Sequence, residues 1–243
     1  MSLIEGNGMD ASNERTGNLL LDSVTSDERG ELLARADRRP ITPGFFRRRP
    51  GEAVDAAVFP MTGTYSVIVQ PDEVSVEAAT VGREGVLDVY ATIGSRIASQ
   101  ILLAQVPGEA VEIEVETFLK VYREGPQLPK LVHGYIAALF AQAAMSAACL
   151  ALHRVEERCA RWLLETHDRV DVDTFELKQE FLAVMLAVSR PSVSVAAGTL
   201  QRAGLITFSR GSITVLDREG LENAACSCYE AVRSQYSRLV PLQ

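Results

Sequence analysis

The stretch that decides the fold is KQEFLAVMLAVSRPSVSVAAGTLQRAGLI, residues 178–206. It holds two short helical patterns almost back to back. In the first, Phe181, Leu182, Met185 and Leu186 recur at helical spacing and are expected to face inward. The second opens at Ser189, whose side chain suits a helix N-cap. Arg190 and Pro191 occupy its first turn, where proline forfeits no intrahelical hydrogen bond. Val193, Ala196, Ala197 and Leu200 repeat at i, i+3, i+4 and i+7, and Gly204 ends the pattern. The opposite face carries Arg190, Pro191, Ser194, Val195, Gly198 and Arg202, a slim surface without acids. LITFSRGSITVLD, residues 205–217, then predicts two strands around Arg210-Gly211. Two helices joined by so short a turn, with a hairpin behind them, predict a winged helix-turn-helix. A helix this slender can enter a DNA major groove about 12 Å wide. Gly198 costs about 1 kcal/mol against Ala inside a helix, which suits a place of close approach. The plain alternative is a small helical bundle with a hairpin.

Working outward, LVHGYIAALFAQAAMSAACLAL (131–152) is long enough to span a bilayer. Its His133, Gln142 and Ser146 argue against that use. Leu131, Tyr135, Ala138, Gln142, Met145, Cys149 and Leu152 step alternately by 4 and 3, the rhythm of a coiled-coil seam. A second stripe runs through Val132, Ile136, Leu139, Ala143 and Leu150. A helix apolar on two sides is buried on two sides, so one side is expected on its own domain and the seam on a second copy of the chain. Between residues 56 and 118, short Val/Ile/Tyr-rich runs are broken by Pro and Gly, and VEIEVETF alternates with period two. These runs predict a small antiparallel barrel or sandwich. Residues 19–44 read as helical, anchored by Leu19, Leu20, Leu32 and Leu33. RVEERCARWLLETHDRV (154–170) predicts an amphipathic helix with Trp162 in the core, and a final helix is expected from about Arg218. Residues 1–18 are polar and expected to be a disordered tail.

The whole chain has 243 residues, 47% hydrophobic and 23% charged, with a formal net charge of -8. That composition fits a soluble globular protein of one large or two ordinary domains. Residues 1–152 hold 13 Lys/Arg against 20 Asp/Glu, whereas 153–243 hold 11 against 12, and the span from Arg190 to Arg218 has four arginines and one acid, Asp217. A local basic patch binds phosphate even on an acidic chain, because charges are screened beyond roughly 8 Å. No secretory signal is expected, and a cytoplasmic, reducing compartment is. The cysteines, Cys149, Cys159, Cys226 and Cys228, form no CxxC, and no histidine stands at a zinc spacing. Cys226 and Cys228 would point to different sides if both lay on one helix. No metal site is therefore expected. His133, His153 and His167 fall on presumed helices without partners, and no catalytic constellation is visible, so an enzyme is not expected.

KQEFLAVMLAVSRPSVSVAAGTLQRAGLITFSRGSITVLD resembles the winged helix of the Crp/Fnr transcription regulators. The "SR" before the second helix, "LQRAGLI" after it and the "SRG-I-V-D" wing carry the likeness. The resemblance implies an α+β chain. Residues 19–125 would be a cyclic-nucleotide-binding-like β-barrel of the jelly-roll, or double-stranded β-helix, type. Residues 126–152 would be a dimerisation helix, and 153–243 a winged helix-turn-helix. It further implies a homodimer on a near-palindromic double-stranded DNA operator, with RNA polymerase as a partner if the chain activates. Arg190 matches the family arginine that reads guanine, whereas Pro191 and Val195 stand where many members have a glutamate and a second arginine. Ser189, Ser192 and Ser194 would join the contact, with Lys178, Gln179, Arg210 and Ser212 on phosphates. The phosphate-binding cassette of the family is matched less well. Gly82 and Gly85 remain, but Arg83 replaces the ribose-binding glutamate, and Ala98, beside Ser99, replaces the phosphate-binding arginine. A small-molecule effector held by Gly82, Arg83, Glu84, Gly85, Arg96 and Ser99 is one expectation; the other is that these arginines brace the barrel. Tight cyclic-AMP binding is not expected, and no cofactor follows from the residues. The competing function is a non-DNA interaction protein using the winged helix for protein contacts.

Overall fold

The computed structural model describes residues 15–72, 74–170 and 172–240. Most of the expected polar tail lies outside these residues. Its described end is packed: Asn18 is buried, caps the first helix by accepting from the Leu21 N–H, and donates to the carbonyls of Pro60 and Gly85. Helix α1 (Leu19–Ser23) leads into α2 (Ser26–Leu33), which Thr25 and Glu28 open with a reciprocal capping box. The helical reading of 19–44 ends there. Asp37–Ile41 is a strand, β1, on the edge of its sheet, where Pro40 and exposed charges are tolerated.

β2 (Phe46–Arg48), β3 (Ala56–Pro60), β4 (Thr64–Val69), β5 (Val76–Val81), β6 (Ile101–Val106) and β7 (Gly108–Glu114) complete two antiparallel sheets, ordered β1-β7-β3 and β2-β6-β4-β5. Phe59, Tyr65, Val81, Leu102 and Ile113 from both sheets share one core, so the expected barrel takes the form of a two-sheet jelly roll. The alternation of VEIEVETF is strand as far as Glu114; Val115 already begins helix α3 (Val115–Glu124).

α4 (Leu128–Leu152) has 25 residues and starts with a proline in its first turn. After a break at His153 and Arg154 comes α5 (Val155–Val170). β8 (Thr174–Glu176), α6 (Gln179–Met185), α7 (Arg190–Arg202), β9 (Ile206–Ser209) and β10 (Ser212–Val215) follow. The hairpin is one part of a three-stranded sheet, β8-β10-β9, whose outer strand β8 has too short a run to show in the sequence. The expected final helix is two helices, α8 (Arg218–Ala224) and α9 (Cys228–Leu239). α9 turns back and lies along α4. Gly134 permits this, since a Cβ there would collide with the Leu239 carbonyl oxygen. The break places Cys226 before α9 and Cys228 at its start, so the two do not diverge as on one helix. Both sulfurs turn toward Cys149 and His153, against the expectation of no ligand cluster.

The second core unites α5, α6, α7 and the wing around Trp162, Leu163, Leu182 and Ile213, and it reaches Ile68 and Leu103 on the four-stranded sheet. Trp162 is core as expected, and its indole N–H reaches across this junction to donate to Glu77 at 2.9 Å. Thr80 donates to the same oxygen at 2.9 Å, and the Ser66 hydroxyl donates to the other. Burial pushes the Glu77 carboxyl up to about 7, against its ordinary 4.5.

Candidate nucleic-acid interface

α6 and α7 meet at 97°, the angle of a helix-turn-helix. Ala187 sits in the turn at φ +51, a left-handed conformation that costs an L-residue roughly 1–2 kcal/mol. Val188 bonds back to the Ala183 carbonyl at 3.0 Å and closes the corner. On α7, Val193, Ala196, Ala197 and Leu200 are buried as the spacing predicts. Arg210 (φ +51) and Gly211 (φ +80) form the wing tip, with successive left-handed residues suited to a two-residue hairpin turn.

An open groove of about 420 Å³ is lined by Lys178, Gln179, Arg190 and Arg210, together with Glu180 and Phe208. It gathers three cations from the start of α6, the start of α7 and the wing tip. Glu180 and Phe208 were not singled out from the sequence. Glu180 holds the Arg190 guanidinium at 3.3 Å, yet the arginine side chain stays 69% exposed. Beyond the groove, Pro191, Ser194, Val195 and Arg202 face solvent. Nothing but the tip of Arg202 approaches a Cβ built on Gly198, at 3.4 Å, so packing within the described chain does not demand glycine there. Ser189 and Ser192 hydrogen-bond each other at 3.0 Å. Ser212 does not join them, because it lies inside the wing sheet with its hydroxyl directed at the Phe175 carbonyl, 3.5 Å away. Ser189 and Arg190 also stand at the lip of a cleft between the winged helix and the four-stranded sheet, but the outward face of α7 is not covered by it.

On α4 the expected dimer seam needs correction. Leu131, Tyr135, Ala138, Gln142 and Cys149 are buried in the chain's own interior, against α9 and the sheets, and Met145 is half-buried beside the cysteines. Tyr236 on α9 donates to Gln142 at 3.0 Å. Leu152 remains exposed. The free apolar seam lies two positions further on: Ala137, Phe140, Ala144, Ala147 and Ala151, again in steps of 3 and 4. Phe140 is 76% exposed. Though α4 is long and apolar enough to cross a membrane, its other side is already covered by α9 and the jelly roll.

The sequence profile of the Crp-like helix-turn-helix domain matches residues 157–224. Solved structures match nearly the whole fold. FixK2 from Bradyrhizobium japonicum superposes with a TM-score of 0.66 at 16% identity, over 79% of this chain and 98% of that one. The c-di-GMP-responsive global regulator CLP of Xanthomonas campestris gives 0.62 at 18% identity, over 79% and 99%. A CRP/FNR-family transcriptional regulator from Thermus thermophilus gives 0.57 at 20%, over 78% and 98%. Residues 157–224 are thus matched by a Crp-like helix-turn-helix domain, and the chain as a whole shares its fold with Crp/Fnr-family structures. A comparison with curated proteins finds no match.

In this Crp/Fnr-type fold the cassette is closed by the chain itself. Arg169 of α5 reaches back to Glu84 at 2.8 Å and to the Glu165 carbonyl at 2.6 Å. A Cβ on Gly82 would strike the Arg169 side chain, and one on Gly85 the Tyr135 ring. Arg96 pairs with Glu116 at 2.9 Å, and Ser99 is exposed in a separate cleft beside Phe46 and Arg49. The six cassette residues therefore do not converge on one ligand. A different cavity, about 310 Å³, lies between β4–β6 and α4, lined by Val67, Leu102, Ile136, Leu139 and Phe140. Its polar members are Asp88, Tyr90 and Gln100, with no basic side chain among the described residues that line it. The three histidines have partners after all: His133 with the Tyr122 hydroxyl at 2.8 Å, His167 with Arg218 at 2.7 Å, and His153 with Cys228 at 3.5 Å.

Proposed function

We propose that the chain is a sequence-specific DNA-binding regulator that acts as a homodimer on a near-palindromic operator. The observation that carries this is the groove where Lys178, Arg190 and Arg210 meet beside the uncovered face of α7. Three cations from separate elements at one edge suit a phosphate backbone, and Arg190 then stands at the groove floor to read a guanine edge. The exposed seam through Phe140 supplies the twofold partner. The sensor half takes an apolar effector in the 310 Å³ cavity rather than a cyclic nucleotide, because the lining is mostly apolar and presents no cation to meet a phosphate. An effector there touches Phe140, which also belongs to the seam, so its binding bears on dimer geometry. The direct test is fluorescence anisotropy on labelled duplex between about 50 and 200 mM salt. Affinity falling steeply with salt supports the reading. Absent or salt-independent binding to any duplex overturns it.

A further inference from the structure

Three cysteines and a histidine converge where α4 ends and α9 begins. Cys149 lies in the last turn of α4, and His153 caps that helix, its N–H donating to the Cys149 carbonyl at 3.1 Å. Cys226 lies in the link after α8, and Cys228 starts α9. The Tyr229 N–H donates to the Cys226 carbonyl at 3.1 Å, a turn that brings both sulfurs to one side. The Cys149 and Cys226 sulfurs are 3.5 Å apart, as are the Cys228 sulfur and His153 Nδ1. All four donor atoms lie within 4.8 Å of one another.

The geometry points to a binding site for one thiophilic divalent cation of the zinc class, held by Cys149, His153, Cys226 and Cys228. Tetrahedral zinc, with Zn–S about 2.3 Å and Zn–N about 2.0–2.1 Å, places its donors about 3.5–3.8 Å apart. The Cys149–Cys226 and Cys228–His153 spacings, 3.5 Å each, fall there, and the other pairs lie within 4.8 Å, a small side-chain adjustment away. Donors this close surround a single ion and not an iron–sulfur cluster, whose cysteines stand around a core several ångströms across. A disulfide between Cys149 and Cys226 would leave Cys228 and His153 converging for no purpose. Three thiols and an imidazole, soft donors with none of the oxygen ligands that hard cations require, select for zinc over magnesium or calcium. The three cysteines are buried, as in a closed four-coordinate site.

A second observation comes from α5. The Arg161 side chain is 8% exposed and lies within electrostatic reach of Cys149 and Cys226. It pairs with Glu165 at 2.8 Å, but its buried Nε has no hydrogen-bond partner among the described residues. Three thiolates on a divalent ion leave one net negative charge, which this guanidinium faces. Loading is acid–base exchange: each thiol yields its proton to solvent and its sulfur bonds the ion, with no change of oxidation state. The bound ion fastens the end of the dimer-seam helix to the closing helix of the winged-helix half, across the His153–Arg154 link.

The test is an anaerobic cobalt(II) titration of the reduced, metal-stripped full chain, followed by zinc displacement. Visible d–d bands of tetrahedral cobalt with thiolate charge transfer, saturating at one ion per chain and bleached by zinc, are expected. Cys228→Ser and His153→Ala, checked for folding by circular dichroism, should weaken cobalt binding at least tenfold, whereas Cys159→Ala should retain it. Zinc should also raise the Tm of the wild-type chain and slow modification of three of its four thiols. An absence of tetrahedral bands, with all four thiols reacting equally with and without zinc, overturns the proposal. So does a chain that binds no metal after reduction and re-forms a Cys149–Cys226 disulfide in air.

Discussion

Arg190 is exposed at the mouth of α7, tethered by Glu180 at 3.3 Å. Replacing it with Ala should remove a bidentate guanine contact worth about 1–3 kcal/mol, a loss of roughly 5- to 150-fold in operator affinity. Sedimentation and Tm should be unchanged, since the side chain supports no core. Gly198→Ala should separate two effects at one position. The helix gains up to about 1 kcal/mol, read as a higher Tm, while the added methyl group stands on the outward face and weakens DNA binding. Glu77 gives a pH signature. Its carboxyl titrates near 7 when folded and near 4.5 when unfolded. Below pH 4.5 both states hold the proton and folding bears no penalty. As pH rises through the window to about 7 the unfolded state alone releases it, and stability falls by something on the order of 3 kcal/mol before levelling off. Denaturant titrations of Glu77→Gln should lack that fall, which the difference from wild type isolates. Pro191 and Gly204 were legible in the sequence because a first-turn proline and a terminating glycine act within one helical turn; Ser189 takes the N-cap position as expected, but its hydroxyl pairs with Ser192 and makes no capping bond. Glu84 with Arg169, and Cys149 with Cys226, were not, because each pair lies more than seventy residues apart and meets by tertiary packing alone.

The elements repeat that division. α6, α7 and the hairpin could be drawn from the sequence, because helical spacing and the Arg210-Gly211 turn are local properties. β1 could not, since its strand character comes from pairing Asp37 with Glu112 on β7, while the nearby Leu32 and Leu33 carry a helical period. On α4 the rhythm of the seam was readable but its phase was not. Both sides are apolar, and the choice between them is made by α9, which covers Tyr135 and Gln142 and leaves Phe140 free. Phe140→Glu should therefore dissociate the proposed dimer, measured by analytical ultracentrifugation, and leave the chain folded. Tyr135→Glu should instead unfold it, because it buries a charge in the chain's own core. If the Phe140 variant stays dimeric, the seam lies elsewhere.

At the scale of the molecule, the winged-helix half and the jelly roll share a core through Trp162, Ile68 and Leu103, so a change in the jelly roll has a packed route to α6 and α7. The cassette filled by Arg169 and the cation-free cavity against α4 set the expectation for effectors: cyclic AMP should not shift the Tm or bind in calorimetry. The net charge of -8 conceals the basic edge that Lys178, Arg190 and Arg210 build together. What most directly tests whether that edge enters duplex DNA in twofold symmetry is binding-site selection from a randomised duplex pool, with the bound fraction sequenced. The expected product is an inverted repeat whose half-sites are centred one helical turn, about 34 Å, apart. Recovery of an unenriched pool, or of a motif with no inverted symmetry, would contradict it.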